Sequence, residues 1–143
     1  MARRRFVHRR LVQWGDCDPA AIVYTPRFLD YTLEAIDAWM TKILGINWYG
    51  MNMRLGIGGP IVHASLDFSS PAKGGEVIGL EVAIEKATRS ALTFAVIGRV
   101  APRRRIFTAR VVVVIIDRKR FKSIALPATF RRRIDAHLGA KKK

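Results

Sequence analysis

The sequence contains little cysteine, no long apolar run and few acidic residues. Its single cysteine, Cys17, excludes an internal disulfide, and its three scattered histidines have no metal-ligand spacing. The apolar run from Val111 to Ile116 is six residues long, far short of the ~20 residues of a membrane-spanning helix. The basic start, Met-Ala-Arg-Arg-Arg-Phe, is not followed by an apolar segment. We therefore expect no secretion signal, no membrane association, no structural metal and a cytoplasmic location.

The shortage of acidic residues leaves a strong positive charge. Lys and Arg number 26 against 11 Asp and Glu, which gives a formal net charge of +15. The excess lies at the two ends: residues 1–10 hold five arginines and no acid, and residues 117–143 hold ten basic residues and two acids. Basic ends occur in nucleic-acid-binding proteins, but no recognition motif accompanies these. We favour solvated ends, and the alternatives are a nucleic-acid surface or a field that concentrates an anionic ligand.

The pattern of apolar residues separates one helical segment from a later series of strands. Between Pro26 and about Leu44, apolar residues recur at steps of three and four, which predicts an amphipathic helix, and Gly45 is typical of a helix end. Two-residue alternation and a long β-branched run predict antiparallel strands with one covered face over residues 62–68, 78–85, 92–96 and 106–116.

The remaining segments are short. Residues 6–14 are a strand candidate, residues 46–60 are predicted to be a loop, and Pro127 opens a final helix. No internal repeat or linker divides the chain. The sequence therefore predicts one α+β domain over residues 1–143, large enough for its own core, with flexible basic ends at about 1–5 and 139–143.

The segment from Trp14 to Pro26 is the strongest functional signal. It reads Trp-Gly-Asp-Cys-Asp-Pro-Ala-Ala-Ile-Val-Tyr-Thr-Pro, and its first glycine and proline bracket Asp16 and Asp18 in a turn. Thr25 and Pro26 then predict a helix start, with the Thr25 hydroxyl as the cap. A carboxylate near free N–H groups can act as base or nucleophile while those groups hold an oxyanion. On the residues alone, we favour the alternative that the two aspartates only cap the turn.

The stretch Gly15-Asp-Cys-Asp-Pro-Ala-Ala-Ile-Val23, followed by an aromatic residue and a proline, resembles the turn of the 4-hydroxybenzoyl-CoA thioesterase family. Pro60-Ile-Val before a strand, Ser70-Pro71 before a turn and the closing Leu126-Pro127 extend the resemblance over roughly residues 6–138. The family has the hotdog fold, in which an antiparallel sheet wraps around one long central helix. The resemblance implies hydrolysis of an acyl- or aryl-CoA thioester, with coenzyme A as part of the substrate and no cofactor.

The resemblance also implies roles for residues of the turn. The family's catalytic carboxylate falls on Asp18, which would either attack the thioester carbonyl to form a mixed anhydride or activate a water as general base. The backbone N–H of Thr25 would stabilise the oxyanion. Asp16 would stabilise the turn, and Cys17 would pack rather than react, because the flanking carboxylates raise a thiol's pKa.

Further residues are implied for substrate binding. The family contacts the nucleotide at the turn that here carries Lys86, Arg89 and Ser90, and the run of arginines at 103–105, which includes Arg103 and Arg104, is a second candidate cluster. Solvated charge is the alternative for both groups. Tyr24 and His63 are candidates to line the acyl pocket.

The family further implies a homodimer joined through sheets, or a homotetramer, with active sites at the dimer interface. Two alternative functions remain. One is a non-catalytic acyl-CoA-binding or nucleic-acid-binding protein that uses the basic ends. The other is a hotdog dehydratase, which would need an Asp/His pair on a motif that this sequence does not show.

Overall fold

The computed structural model describes residues 5–139, and the prediction of flexible ends falls mostly outside that range. Three helices and eight strands form in the order β1, α1, α2, β2 to β8, α3. The helices are α1 (Arg27–Trp39), α2 (Trp48–Leu55) and α3 (Ala128–Gly139). The strands are β1 (Phe6–Leu11), β2 (Ile57–Gly58), β3 (Ile61–Phe68), β4 (Val77–Ala87), β5 (Ala91–Ala101), β6 (Arg104–Val114), β7 (Ile116–Asp117) and β8 (Lys122–Ser123).

Five strands form one antiparallel sheet in the order β1-β4-β5-β6-β3, and β2, β7 and β8 form a small second sheet. In the large sheet, Leu11 at the end of β1 pairs with Val77 at the start of β4, and Phe68 at the end of β3 pairs with Phe107 near the start of β6. We call this the near end of the sheet. The turn between β4 and β5 lies at the far end. Eleven residues of β4 separate the two ends by about 33 Å at the usual rise per strand residue.

Helix α1 crosses one face of the large sheet and fills the core. Its side chains Tyr31, Ala35, Ile36 and Trp39 are fully buried. The Trp39 ring meets the Phe94 ring of β5 edge to face, with 5.1 Å between centroids. The inward residues of the central strands include Leu80, Phe94, Val96 and Val111. The alternation in the sequence arises because only this face of the sheet is covered by a helix. Within residues 5–139, no helix is both long and apolar enough to cross a membrane.

The long helix is confirmed, with one correction at its start. It begins at Arg27 with Pro26 in the N-cap position, and no side chain caps it, so the predicted Thr25 hydroxyl cap is wrong. Proline suits this position because its missing N–H has no partner there in any helix. The helix continues as one π-helical turn, Met40–Leu44, and ends at Gly45, whose φ of +80° is left-handed.

The prediction that residues 46–60 form a loop is wrong. They contain α2 and β2. The side chain of Asn47 caps α2 by accepting a hydrogen bond from the Gly50 N–H at 2.8 Å, and Gly56 ends the helix at a φ of +64°. Asn and Gly are common in loops, whereas here they mark the two ends of a short helix.

Candidate active site

The predicted turn folds into a small hairpin at the near end of the sheet. Residues 14–16 form one turn of 3₁₀ helix, after which the chain reverses. The Asp18 N–H donates to the Ile22 carbonyl at 2.9 Å, the Tyr24 N–H donates to the Asp16 carbonyl at 2.8 Å, and Cys17 and Val23 form a bridge between these two bonds. These contacts fix both aspartates and the residues that precede α1 in one rigid unit.

Asp18 has a carboxylate that is only half engaged. Its Oδ1 accepts a hydrogen bond from the Ala20 N–H at 2.8 Å, which is the usual local bond of an aspartate in a turn. Its Oδ2 accepts none from the described residues. Three residues further along the chain, Ala21 has a φ of +65°, a left-handed conformation that is rare for a residue with a Cβ. The turn therefore holds a partly exposed carboxylate with one oxygen available, next to a strained backbone position.

The backbone N–H of Thr25 is also available. The Tyr24 N–H donates to the Asp16 carbonyl, Pro26 has no N–H, and the Arg27 N–H donates to the Tyr24 carbonyl at 2.8 Å. Among residues 5–139, no acceptor bonds the Thr25 N–H. This donor lies one residue before the N-cap of α1, where the helix dipole favours negative charge. The hairpin thus holds one carboxylate oxygen and one N–H donor that the fold itself does not use.

Asp16 is the buried member of the pair, with 6% of its surface exposed. Its Oδ2 accepts hydrogen bonds from the Gln13 N–H and from Arg10 Nη1, both at 3.0 Å. Burial opposes ionisation, but the Gln13 N–H and the neighbouring Tyr31 and Arg10 side chains outweigh it and hold the pKa of the Asp16 carboxyl below its usual range. Asp16 is therefore a charged structural anchor of the hairpin, in agreement with its predicted role.

Arg10 connects this anchor to α1. Its guanidinium also binds Glu34 of α1, with Nε 2.9 Å from Oε1, and lies over the Tyr31 ring, with Cζ 4.8 Å from the ring centroid. The Tyr31 hydroxyl is buried and makes no hydrogen bond of good geometry with a described atom. Burial, followed by the nearby Asp16 carboxylate, raises the pKa of this phenol, so that proximity rather than a formed bond links the two groups.

The sequence reasoning missed Arg10. It is a polar residue on the inward-facing side of β1, alternating with the exposed Val7, Arg9 and Leu11. A charged side chain that points inward needs a partner of opposite charge, so an arginine at an inward position of β1 was the sequence feature that could have identified it.

Two adjoining clefts flank the hairpin. The first has a volume of about 390 Å³ and contains Asp18. The second, of about 370 Å³, extends to Lys73 and the glycines that precede β4. Both clefts share Trp14, Cys17 and Ala21, and the Trp14 side chain is 91% exposed. Asp18 therefore lines a space whose walls are mostly apolar. Cys17 Sγ lies 3.7 Å from the Gln13 carbonyl and contributes to the cleft wall.

The structure divides the predicted binding residues between the two ends of the sheet. Tyr24 is 53% exposed at the near end, beside Asp18 and Thr25. The other four lie at the far end, and they are Lys86, Arg89, Ser90 and His63. In and beside the β4–β5 turn, Lys86 pairs with Thr93, and the Arg89 and Ser90 carbonyls accept hydrogen bonds from the Leu126 and Ile115 N–H groups. At the start of β3, His63 Nε2 lies 3.3 Å from Ser65 Oγ. Within one chain, these four are not brought together with Asp18.

The second basic cluster lies at the near end, and its members differ. The Arg104 guanidinium is held by the Glu76 carboxylate and donates to the Pro71 carbonyl at 2.9 Å. The hydrogen bond from Arg104 is the main cause that lowers the pKa of Glu76. Arg103 is exposed and forms no such pair among the described residues. Arg104 therefore braces the loop before β4, and Arg103 is the freer candidate. No group of three or more potential metal ligands occurs within residues 5–139.

Comparisons with known proteins show the family to which the chain belongs. Residues 12–134 match the Thioesterase-like superfamily. A 1,4-dihydroxy-2-naphthoyl-CoA hydrolase from Synechocystis sp. is 30% identical over 90 residues, which are 58% of this chain and 59% of that protein. A second hydrolase of that name, from Trichodesmium erythraeum, is 31% identical over 78 residues, 54% of this chain and 55% of its own. The chain thus spans little more than half the length of the curated relatives it matches.

Solved structures match over nearly the whole chain. A thioesterase superfamily protein from Jannaschia sp. CCS1 is 32% identical, with 96% of this chain and 97% of that chain covered and a TM-score of 0.87. A 1,4-dihydroxy-2-naphthoyl-CoA thioesterase from Synechocystis is 26% identical, with 92% and 96% covered and a TM-score of 0.83. The family match includes the hairpin, α1 and four of the five strands of the large sheet, and it begins just after β1. With its sheet wrapped around α1, this chain has the hotdog fold and belongs to the Thioesterase-like superfamily.

Proposed function

We propose that this protein is a thioester hydrolase that converts an acyl-CoA to the free acid and coenzyme A, with Asp18 as its catalytic carboxylate. The observation that carries the proposal is the hairpin at residues 16–25, which leaves one Asp18 oxygen and the Thr25 N–H without partners among the described residues. Asp18 either attacks the thioester carbonyl, so that the coenzyme A thiolate leaves and water then hydrolyses the mixed anhydride, or takes a proton from a water that attacks the carbonyl and displaces the thiolate. In both routes the Thr25 N–H donates to the oxyanion.

For the acyl group we propose an aryl class. Support comes from Trp14, whose exposed indole borders both clefts beside Asp18 and offers a face on which a planar ring can stack. It also comes from the curated relatives, which are named for a naphthoyl thioester. A 4-hydroxybenzoyl group remains one member of this class. The proposed reaction uses only protein groups, so we propose no cofactor, and the cytoplasmic location also stays a prediction.

We also propose that the active unit is a homodimer joined along β3. This strand pairs with β6 on one side only and ends the sheet, and every one of its residues is exposed or half-buried. An open edge of eight residues is suited to pair with a second copy. Antiparallel pairing of two β3 strands would bring the far end of one chain towards Asp18 of the other. That arrangement would allow Lys86, Arg89, Ser90 and His63 to act on the partner's substrate.

The test is a panel of aryl, branched and straight-chain acyl-CoAs, assayed for release of free thiol. We expect Asp18→Asn to lower kcat by on the order of 10³-fold while the far-UV spectrum is unchanged, because an amide is neither nucleophile nor base. The matched control is Cys17→Ser in the adjacent position, which should keep most of the activity. A folded Asp18→Asn protein with near wild-type turnover would remove Asp18 from the mechanism. Wild-type protein that cleaves no thioester but binds a random oligonucleotide tightly would favour the nucleic-acid alternative.

A further inference from the structure

A further cleft lies away from Asp18, on the face of the large sheet that α1 does not cover. It has a volume of about 460 Å³ and is formed by β1, β4 and the end of β5. Four charged side chains line it, and they are Arg5, Arg9, Glu81 and Arg99. We call it the arginine cleft. With three arginines and one glutamate, its lining has a net charge of +2.

The strand register explains how the cleft opens. Arg9 of β1 pairs with Gly79 of β4, and Gly79 pairs on its other side with Arg99 of β5. Two arginines therefore flank a position that has no side chain, about 10 Å apart at the usual spacing of neighbouring strands. A glycine inside a strand often marks a place where a ligand approaches the backbone closely. Here it leaves a gap between the strand positions of two arginines.

The charges in the cleft are only partly compensated. In the next row of the sheet, Glu81 lies 3.3 Å from Arg5 Nε and 3.6 Å from Arg99 Nη1, so one carboxylate serves two guanidinium groups. Among residues 5–139, Arg9 has no ion pair and no side-chain hydrogen bond. Its Nη1 lies 3.8 Å from the position that a Cβ on Gly79 would take. The free guanidinium therefore reaches over the floor of the gap.

We propose that the arginine cleft is a second binding site, specific for the phosphate groups of a nucleotide-sized ligand. Guanidinium groups bind phosphate oxygens through paired, charge-assisted hydrogen bonds, and here Arg9 and Arg99 both line the cleft from the two sides of Gly79. A volume of about 460 Å³ is within the range of small-molecule sites and is larger than a lone phosphate needs. The apolar wall of Val7, Val100, Ala101 and Pro102 can take the less polar part of such a ligand.

The ligand could reach the cleft as the nucleotide end of a coenzyme A thioester or as a free nucleotide. Both carry the same phosphate-on-nucleoside chemistry. The cleft lies towards the near end of the sheet, because Gly79 is two residues from Val77, which pairs with the end of β1 just before the hairpin. It is on the opposite face of the sheet from α1, so its occupation can be measured apart from hydrolysis.

The experiment is calorimetric titration of the intact protein with adenosine 3′,5′-bisphosphate at ~0.15 M salt. We expect Arg9→Gln to weaken binding about five- to tenfold, since an exposed charge-assisted contact to phosphate is lost. Arg132→Gln on α3 is the matched control, with the same change in net charge at an exposed position outside the cleft, and should leave affinity unchanged. Glu81→Gln should tighten binding, because it removes the competing carboxylate from Arg5 and Arg99.

A steric variant tests the gap independently of charge. Gly79→Ala adds a methyl group that meets Val7 Cγ1 at 3.4 Å, an ordinary contact, so the protein should fold and bind the bisphosphate more weakly. If the ligand is the end of a thioester substrate, Arg9→Gln raises KM in proportion to the loss of affinity, and if it is a separate nucleotide, KM is unchanged. Three results would overturn the proposal: no binding by wild type, equal affinity of Arg9→Gln and Arg132→Gln, or Arg9-dependent binding of a 12-mer oligonucleotide but not of the bisphosphate.

Discussion

Replacement of Asp16 by asparagine should destabilise the hairpin that carries the candidate catalytic residue. Asparagine has nearly the same shape, so an oxygen can still accept from the Gln13 N–H. The charge is lost, however, so Arg10 Nη1, which donates to that same oxygen at 3.0 Å, keeps only a neutral acceptor. Loss of a partly buried, charge-assisted contact costs about 2 kcal/mol in free energy of unfolding. For a domain of this size, that corresponds to a fall in Tm of about 4–8 °C.

The loss of stability caused by Asp16→Asn should depend on pH. Because folding lowers the pKa of Asp16, its contribution to stability is complete above the unfolded-state pKa of about 3.9 and is lost as the pH falls through the lower folded-state value. The difference in unfolding free energy between wild type and Asp16→Asn should therefore be constant from pH 7 to about pH 5 and should shrink at lower pH.

Urea unfolding of both proteins at several pH values measures this difference. Asp30→Asn is the matched control, because Asp30 also pairs with an arginine, Arg27 Nη1 at 3.2 Å, but on the exposed surface of α1. It should cost less than about 1 kcal/mol. A difference between wild type and Asp16→Asn that does not change down to pH 3 would show that the ionised carboxylate is not the stabilising group.

Two further predictions concern the sheet. Val62→Lys places a charge on the β3 edge, where Val62 is 62% exposed in the single chain, and should convert a β3-joined homodimer to monomers. Sedimentation velocity measures this change, and an unchanged sedimentation coefficient would argue against pairing through β3. Gly98→Ala would place its Cβ 2.5 Å from Cε1 of the buried Phe107 ring and should lower the free energy of unfolding by about 1–3 kcal/mol. Gly79→Ala makes only ordinary contacts and should lower it less, so equal losses of stability in urea unfolding would refute the steric argument.

The parts of the fold that the sequence predicted are those that depend on local periodicity. The apolar stripe of α1 and the alternation in β4 to β6 are each visible within one element, because one face of each element packs in a single core. Strand β3 alternates in sequence as well, although all its residues are exposed or half-buried. The helix α2 was missed because eight residues with a glycine at position 50 and a weak apolar stripe carry little such signal. Its ends were nevertheless encoded, by Asn47 and Gly56.

The candidate site shows the same division between local and distant information. The turn around Asp18 was predictable because its hydrogen bonds join residues within about one hairpin, from Asp16 to Tyr24. The Arg10 contact joins residues that local motif rules do not link: Arg10 reaches Glu34, 24 positions away, through the packing of β1 against α1. The arginine cleft likewise depends on the register of three strands, which places Arg9 and Arg99 on either side of Gly79.

Strand direction accounts for the remaining difference. In an antiparallel meander, successive turns alternate between the two ends of the sheet, so the turn at Arg89 and the turn at Arg103 must be separated by the length of β5. No single chain can therefore use both basic turns on one short ligand at Asp18. If the far-end residues bind substrate, a second copy must present them, and Arg89→Gln should then raise KM only in the dimeric protein. If the far-end residues do not bind substrate, the cationic partners for the substrate phosphates would be those at the near end, which are Arg103 and the arginine cleft.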